Sequence, residues 1–498
     1  MAGYGQETVA CVFAQARQCY EDIEGWLSGP AAVAMTHAEL EDELGVRGRE
    51  LLRRLYQGQL DLRAAGEQRR GDVIADRVPR TRTEPGHCRP LATVFGETTV
   101  TRIAYRAPGC RNAYPADAEL NLPEEKHSHG LRKLTAIECP RGSFADAAAT
   151  ITRVTGAVIG KRQVEQMAVR AAADIDGFYA GRRPTVAGED VLLVLTCDGK
   201  GIVMRPDALR PATAKAAAAA GNKLATRLSP GEKNGRKRMA ELCCVYDCQP
   251  VPRTPGDIIT PPGAGKSATR ADAPKAAGKW LTASVTSDIP TVISAMFDQA
   301  ARRDPDHQRT WIALVDGNND QIRAIEGEAA RRGVTVTIVI DFIHVLEYLW
   351  KAAWSFFEPG DPDAQDWVAS RALKLLDGDA GQVAAGIRRR ATTYGYQGKE
   401  RDGADTCAGY LTAKKPYLNY AAALTAGWPI ATGVIEGACR HLVKDRMDIT
   451  GARWGLAGAE AVLKLRAVHA NGDFNDYWTY HLHNEHERTH QSRYRLAA

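Results

Sequence analysis

Apolar positions recur at helical spacing through the first seventy residues. Leu40, Leu44, Leu51, Leu52, Leu55 and Leu60 fall near one another on a helix, and Arg and Glu fill the other faces. This predicts a helical N-terminal region, residues 1–85, suited to packing or to dimerisation. The period then changes. Residues 91–95 and 98–105 carry β-type residues around Gly96-Glu97, which predicts a hairpin with its turn at those two residues. Residues 108–135, with Pro108, Gly109, Pro115 and Pro123, predict a loop, and 86–139 forms a small hairpin-and-loop region.

Helical spacing returns over 140–182. A short helix at 143–152 is followed by Thr155-Gly156, and a second helix opens at Gly160 with Lys161, Arg162 and Gln163 in its first turn. A short helix, a Gly-containing turn and a second helix with polar and basic residues at its start is the layout of a helix-turn-helix. Those three residues are candidate DNA contacts, although many ordinary helix pairs share the pattern.

Residues 183–344 alternate strand and helix. Strands are predicted at 191–197, 239–246, 280–285, 311–315 and 334–340, with helices at 291–302 and 320–332. Three strands, helix, strand, helix, strand resembles the ribonuclease H-like order. The predicted fold class is therefore an α/β core with a ribonuclease H-like mixed sheet. Spans 205–238 and 251–279, Ala-rich and then Pro/Gly/Lys-rich, predict mobile basic connections. Residues 345–430 predict an all-α insertion, with helices at 346–357, 366–376, 381–391 and 404–411. Residues 431–498 close the core with a helical pattern at 438–447 and end in an aromatic- and His-rich tail.

Three acids stand out in this layout. Asp198 and Asp316 each follow an apolar strand run, and Glu436 precedes the late helix. Strand ends are where α/β sheets bind ligands. Two carboxylates brought close repel each other unless a cation is present, and all-oxygen donors suit Mg²⁺. Any one of the three alone reads as a turn or cap residue. Asp341 and His344, directly after the last strand, are accessory or alternative ligands. Asp341 competes with Asp316 for the second position, and its other reading is a helix N-cap. Arg440, Lys444 and Arg446, with His441, follow Glu436 and are candidate phosphate contacts, Arg440 and Lys444 on its helical face. Trp350, Trp354, Trp367 and Trp428 lie in or beside the insertion, as core residues or as platforms for a base.

Two motifs fail on inspection. Gly263-Ala-Gly-Lys-Ser267 lacks the first Gly of a phosphate loop, since residue 260 is Thr, and no strand precedes it. His481, His483, His486 and His490 have no Cys or carboxylate cluster beside them that would argue for zinc.

Composition narrows the class. The 498 residues are 44% hydrophobic and 25% charged, as in globular proteins, and no apolar run reaches a membrane span or opens as a secretory signal. Eleven cysteines without a CxxC pair read as reduced thiols, so a cytoplasmic, nucleoid-associated location is expected. The net charge is +5, yet residues 205–275 hold 13 Lys+Arg against 6 Asp+Glu, a balance of +7. Arg236, Lys237 and Arg238 lie in that stretch, which suits a polyanion such as DNA.

Several segments together resemble the insertion-sequence transposases of the ISKra-four family, and more loosely the Mutator-like and ISL-three groups. They are Ala92-Thr-Val-Phe-Gly-Glu-Thr-Thr-Val-Thr-Arg102, Glu119-Leu-Asn-Leu-Pro123, Ser128-His-Gly130 and Asp198-Gly-Lys-Gly-Ile-Val-Met-Arg205. Further ones are Gly231-Glu-Lys-Asn-Gly-Arg-Lys-Arg-Met-Ala240, Asp341-Phe-Ile-His-Val-Leu-Glu-Tyr-Leu-Trp350, Gly433-Val-Ile-Glu-Gly437 and the stretch from Leu442 to Trp454. The resemblance implies a DDE-type transposase with catalytic and metal-binding Asp198, Asp316 and Glu436, and an intermediate element on Asp341 and His344. It implies two Mg²⁺ ions, with Mn²⁺ as substitute. The implied partners are double-stranded DNA (terminal inverted repeats and target) and further copies of the chain, as a homodimer or larger assembly, with no membrane. The other expected classes are a ribonuclease H-like structure-specific nuclease without strand transfer, and a non-catalytic DNA-binding regulator.

Overall fold

A computed structural model describes residues 6–219, 236–263, 270–449 and 451–494. Much of the expected mobile connection at 205–238, part of that at 251–279, and most of the failed phosphate-loop pattern lie outside the described residues. The chain divides into two compact units. One comprises residues 1–180 and 473–498, the other residues 181–472. The final segment, expected to be one region from 431, is thus split between them.

In the first unit a long helix α1 (His37–Gly66) opens on a capping box, Thr36 and Glu39 exchanging hydrogen bonds. A hairpin follows, β1 (Arg82–Thr93) with β2 (Gly96–Arg106). Its turn lies at Val94-Phe95, not at Gly96-Glu97 as the sequence predicts. Gly96 pairs with Thr93 and takes φ +120°, while the Thr93 hydroxyl accepts from the Phe95 N–H. The expected loop at 108–135 holds in part, interrupted by a short helix at Pro115–Glu119 and ending at His129, where a helix begins. Ser128 caps α2 (His129–Glu138) by accepting from the Leu131 N–H. Helices α3 (Phe144–Thr155) and α4 (Lys161–Ala171) flank Gly156, left-handed at φ +73°. Helices α2, α3 and α4 pack against one another, and their Leu131, Ile151, Val164 and Met167 are buried. In the tail helix Phe474–His486, buried His481 meets Asp174 at 2.6 Å. His486 and His490, further along, meet the Ala118 and Leu122 carbonyls, so these three imidazoles have partners within the unit.

The second unit is a five-stranded mixed sheet between helices. Its strands are β3 (Leu192–Met204), β4 (Arg236–Cys248), β5 (Ala276–Ser284), β6 (Trp311–Val315) and β7 (Val336–Ile340), in the order β5-β4-β3-β6-β7. Only β4 runs antiparallel to the others. Strand β6 is buried along its whole length, as expected for a central parallel strand. Strand β3 runs past Asp198 to Met204 because β4 pairs with it throughout, whereas β6 pairs only with Leu193 to Thr196. Residues 236–238 are therefore strand residues rather than part of a mobile connection. Helices α5 (Ile289–Arg303) and α6 (Asn319–Arg332) pack on the sheet.

The all-α insertion follows β7 as α7 (Phe342–Ala353), α8 (Pro362–Leu376), α9 (Ala380–Thr393) and α10 (Asp402–Lys414). Its ends meet: the Phe342 N–H donates to the Ile430 carbonyl at 2.8 Å. The chain re-enters the core through α11 (Gly433–Ala438), a π-helical segment Cys439–Lys444, and α12 (Leu456–Ala470). No helix among the described residues is long and apolar enough to cross a membrane. None of the eleven cysteines, all among the described residues, forms a disulfide.

Candidate active site

Strand register brings three of the acids into line. Thr196 pairs with Leu314 and Val315 with Ile340. Two further steps along β3 and β6 bring Asp198 abreast of Asp316, and one further step along β6 and β7 brings Asp316 abreast of Asp341. Neighbouring strands lie about 4.8 Å apart, so continuing the register places three acids side by side at the C-terminal side of the parallel strands, where the Asp341 N–H still donates to the Val315 carbonyl and Asp198 feels the charge of Asp316. Asp198 sits inside its strand rather than at its end, at the point where the parallel partner stops.

Each acid is held differently. Asp198 is half-buried. Its Oδ2 accepts from the Cys439 thiol at 3.2 Å and its Oδ1 from the Gly199 N–H at 2.6 Å. Burial pushes its carboxyl above the usual range, and the charge of Asp316 pushes the same way, against the pull of those two donors. The Asp316 Oδ1 accepts from the Asn318 N–H at 2.9 Å, and its carbonyl accepts from the Tyr410 hydroxyl at 3.0 Å. Tyr410 belongs to α10, as does Lys414, a buried cation that donates to Asn319 at the start of α6. Burial lowers the Lys414 ammonium while the Asp316 charge raises it.

Asp341 is 2% exposed. Its Oδ1 accepts from the Ile343 N–H at 3.1 Å, the N-cap bond of α7, and from the Thr432 N–H at 3.2 Å. Its Oδ2 accepts from the Thr432 hydroxyl at 2.8 Å. Both oxygens are thus committed to the protein, which favours the N-cap reading of Asp341 over direct ligation. The same Thr432 hydroxyl lies 3.1 Å from Oε1 of Glu436, one turn along α11. Glu436 is otherwise exposed. Three residues later Cys439 reaches Asp198, so one helix face carries both Glu436 and the thiol. His344 meets Glu347 at 3.4 Å and lies edge-on to Tyr348 and to Tyr410, the tyrosine that donates to the Asp316 carbonyl.

The donor set of Asp198, Asp316 and Glu436 is all oxygen, and the repulsion between Asp198 and Asp316 is what a hard cation relieves. Among the described residues, no group of three or more His, Cys, Asp and Glu side chains lies close enough to hold a metal ion.

Two participants carry weak sequence signals. Cys439 contacts Asp198 across 241 positions of sequence, which no local pattern reveals. Glu241 is an acid inside an apolar strand run, a visible signal. It is 8% exposed and pairs with Gly199, so alternation directs it to the face opposite Asp198. There it receives a long 3.4 Å bond from buried Gln321 and lines a cavity of about 630 Å³ with Arg210, Asp288, Asp320 and Arg323.

The basic candidates separate. Lys161 and Arg162 are exposed at the start of α4, whereas the Gln163 Oε1 accepts from the Gly160 N–H and closes the helix end. Arg238 donates to the carbonyls of Val285, Ala208 and Thr286, and Lys237 pairs with Asp448. Arg236 opens β4. Arg440 and Lys444 are exposed, and both lie in the π-helical segment rather than in a continued α-helix. Arg446 is 5% exposed and stacks 4.6 Å over Trp454, so it serves the fold rather than a phosphate. Trp367 is core; Trp350 and Trp354 stack on each other, with Trp354 exposed.

No protein-family model and no curated protein sequence matches the chain.

Proposed function

We propose that this chain is a DDE-type DNA transposase of the ISKra-four kind, with a ribonuclease H-like core. It would bind the terminal inverted repeats of an insertion sequence and cleave and join DNA. The observation that carries this reading is the row of acids at the edge of β3, β6 and β7, with Glu436 tied to it through Thr432 and Cys439. The strand order, with β4 alone antiparallel, supports the fold assignment.

Asp198, Asp316 and Glu436 would hold two Mg²⁺ ions, or Mn²⁺ in their place; such ions supply activation of water and stabilisation of a leaving 3′ oxygen. The chain's own groups orient the acids: Cys439 and the Gly199 N–H hold Asp198, while the Asn318 N–H and Tyr410 hold the loop of Asp316. Lys161 and Arg162 would bind the phosphate backbone, and two paired DNA ends call for a homodimer or larger assembly. In the proposed sequence, hydrolysis at the element end frees a 3′-hydroxyl, which then attacks a target phosphodiester. No covalent protein–DNA link is required.

The test is strand transfer with duplexes carrying the DNA that flanks this reading frame. Joined product in Mg²⁺, lost in Asp198→Asn, Asp316→Asn and Glu436→Gln with DNA binding intact, is the expected result. Cleavage without joining would favour a structure-specific nuclease. Binding without cleavage in either metal would favour a regulator. Full activity with all three acids replaced would remove the site.

A further inference from the structure

We propose that Thr432 is a positioning residue for Glu436, with buried Asp341 anchoring its backbone and competing for its hydroxyl proton. The inference rests on reading Glu436 as the third catalytic acid. Thr432 occupies the N-cap position of α11 but makes no capping bond to that helix. Threonine at this position ordinarily accepts from a backbone N–H of the first turn. Here the side chain, 4% exposed, turns instead to two carboxylates, Asp341 at 2.8 Å and Glu436 at 3.1 Å. The Thr432 N–H also donates to Asp341, so the residue is pinned by backbone and side chain together.

One hydroxyl carries one proton. It points to Asp341 or to Glu436, never to both. Pointed at Glu436 it fixes the carboxylate; pointed at Asp341 it releases it. A neutral donor suits this place better than Arg or Lys would. A cation beside Glu436 would satisfy its charge and reduce its attraction for a metal ion, whereas a hydroxyl orients the oxygen and leaves the charge intact. Asp341 competes for that proton, yet it fixes the Thr432 backbone in either state, because its Oδ1 accepts from the Thr432 N–H and also caps α7.

The test uses the full chain with Thr432→Val and Thr432→Ser, following Mn²⁺ binding by electron paramagnetic resonance without DNA, and kcat and KM on the flanking-DNA duplex. Loss of an outer-shell partner typically costs about 10–100-fold in metal affinity or activity. Thr432→Val is expected to weaken Mn²⁺ binding and lower kcat by about tenfold or more, with KM for DNA unchanged. Thr432→Ser is expected to restore both. Wild-type Mn²⁺ affinity and kcat in Thr432→Val would overturn the proposal, as would a Thr432→Ser variant as impaired as Thr432→Val. Should Thr432→Val fail to fold, Thr432→Ala against Thr432→Ser makes the same comparison. Glu436→Gln separates the two levels: if it keeps Mn²⁺ binding and strand transfer, the reading of the acids falls, whatever Thr432 does.

Discussion

The Cys439 thiol donates to Oδ2 of Asp198 across 3.2 Å, from the first residue of a π-helical segment. This bond ties the helix of the third acid to the strand of the first. Asp198 nevertheless remains an acid whose ionisation the fold resists. Burial and the Asp316 charge raise its carboxyl, so its contribution to stability is complete below the ordinary carboxylate range and is lost as pH rises through the raised value. Near neutral pH and without divalent ions, Asp198→Asn is therefore expected to melt higher than wild type. The difference should shrink as pH falls toward about 4, and Mg²⁺ should stabilise wild type alone. Thermal melts at three pH values, with and without Mg²⁺, check all three statements.

Asp316 and Asp341 are expected to part in urea unfolding. Asp341→Ala removes an N-cap and leaves the Thr432 N–H unpaired in a buried site, at a cost of about 2–4 kcal/mol. Asp316→Asn keeps its local turn and is expected to change stability by less than about 1 kcal/mol, while strand transfer disappears. A neutral outcome for Asp341→Ala would contradict the bonds that Asp341 makes to Ile343 and Thr432.

Gly317 follows the second acid with φ +96°, and a Cβ there would lie 2.6 Å from the Tyr410 hydroxyl. Gly317→Ala is expected to cost about 1–3 kcal/mol from backbone strain alone, and to push Tyr410 away from the Asp316 carbonyl. Tyr410→Phe removes the clashing oxygen, so the double variant should lose less than the sum of the singles. Strict additivity in a double-mutant cycle would show that the two residues do not meet.

Among the basic residues, Lys161→Ala and Arg162→Ala are expected to weaken DNA binding and each to reduce the slope of log K against log salt by about 1. Arg238→Ala should act on folding instead, because its guanidinium is held by three backbone carbonyls. A salt titration beside a melting curve separates the two effects.

Much of the second unit was legible. Strand β6 was read at its true bounds because a central parallel strand is apolar throughout. The second half of β3 was not, because Asp198-Gly-Lys-Gly201 has the composition of a turn. Pairing with β4 overrides that preference, and Gly199 and Gly201 leave room for the side chains of Glu241 and Lys237. Asp341 carried two readings because a residue after a strand and before a helix serves equally as ligand or cap; only its burial and the reach of Thr432 distinguish them. The π-helical segment after Glu436 was not legible either, since sequence periodicity assumes an α-helix.

The bond between Phe342 and Ile430 closes the helical insertion at its neck. An excursion closed in this way is thermodynamically a pendant loop, and lengthening such a loop costs only slowly with size. Its outer turns, such as the one around Gly360, are therefore ports. A fluorophore or a small reporter domain grafted there would ride on the protein while the acids keep their register. Tyr410 and Lys414, which lean back on the Asp316 loop, mark the inner boundary such a graft must respect.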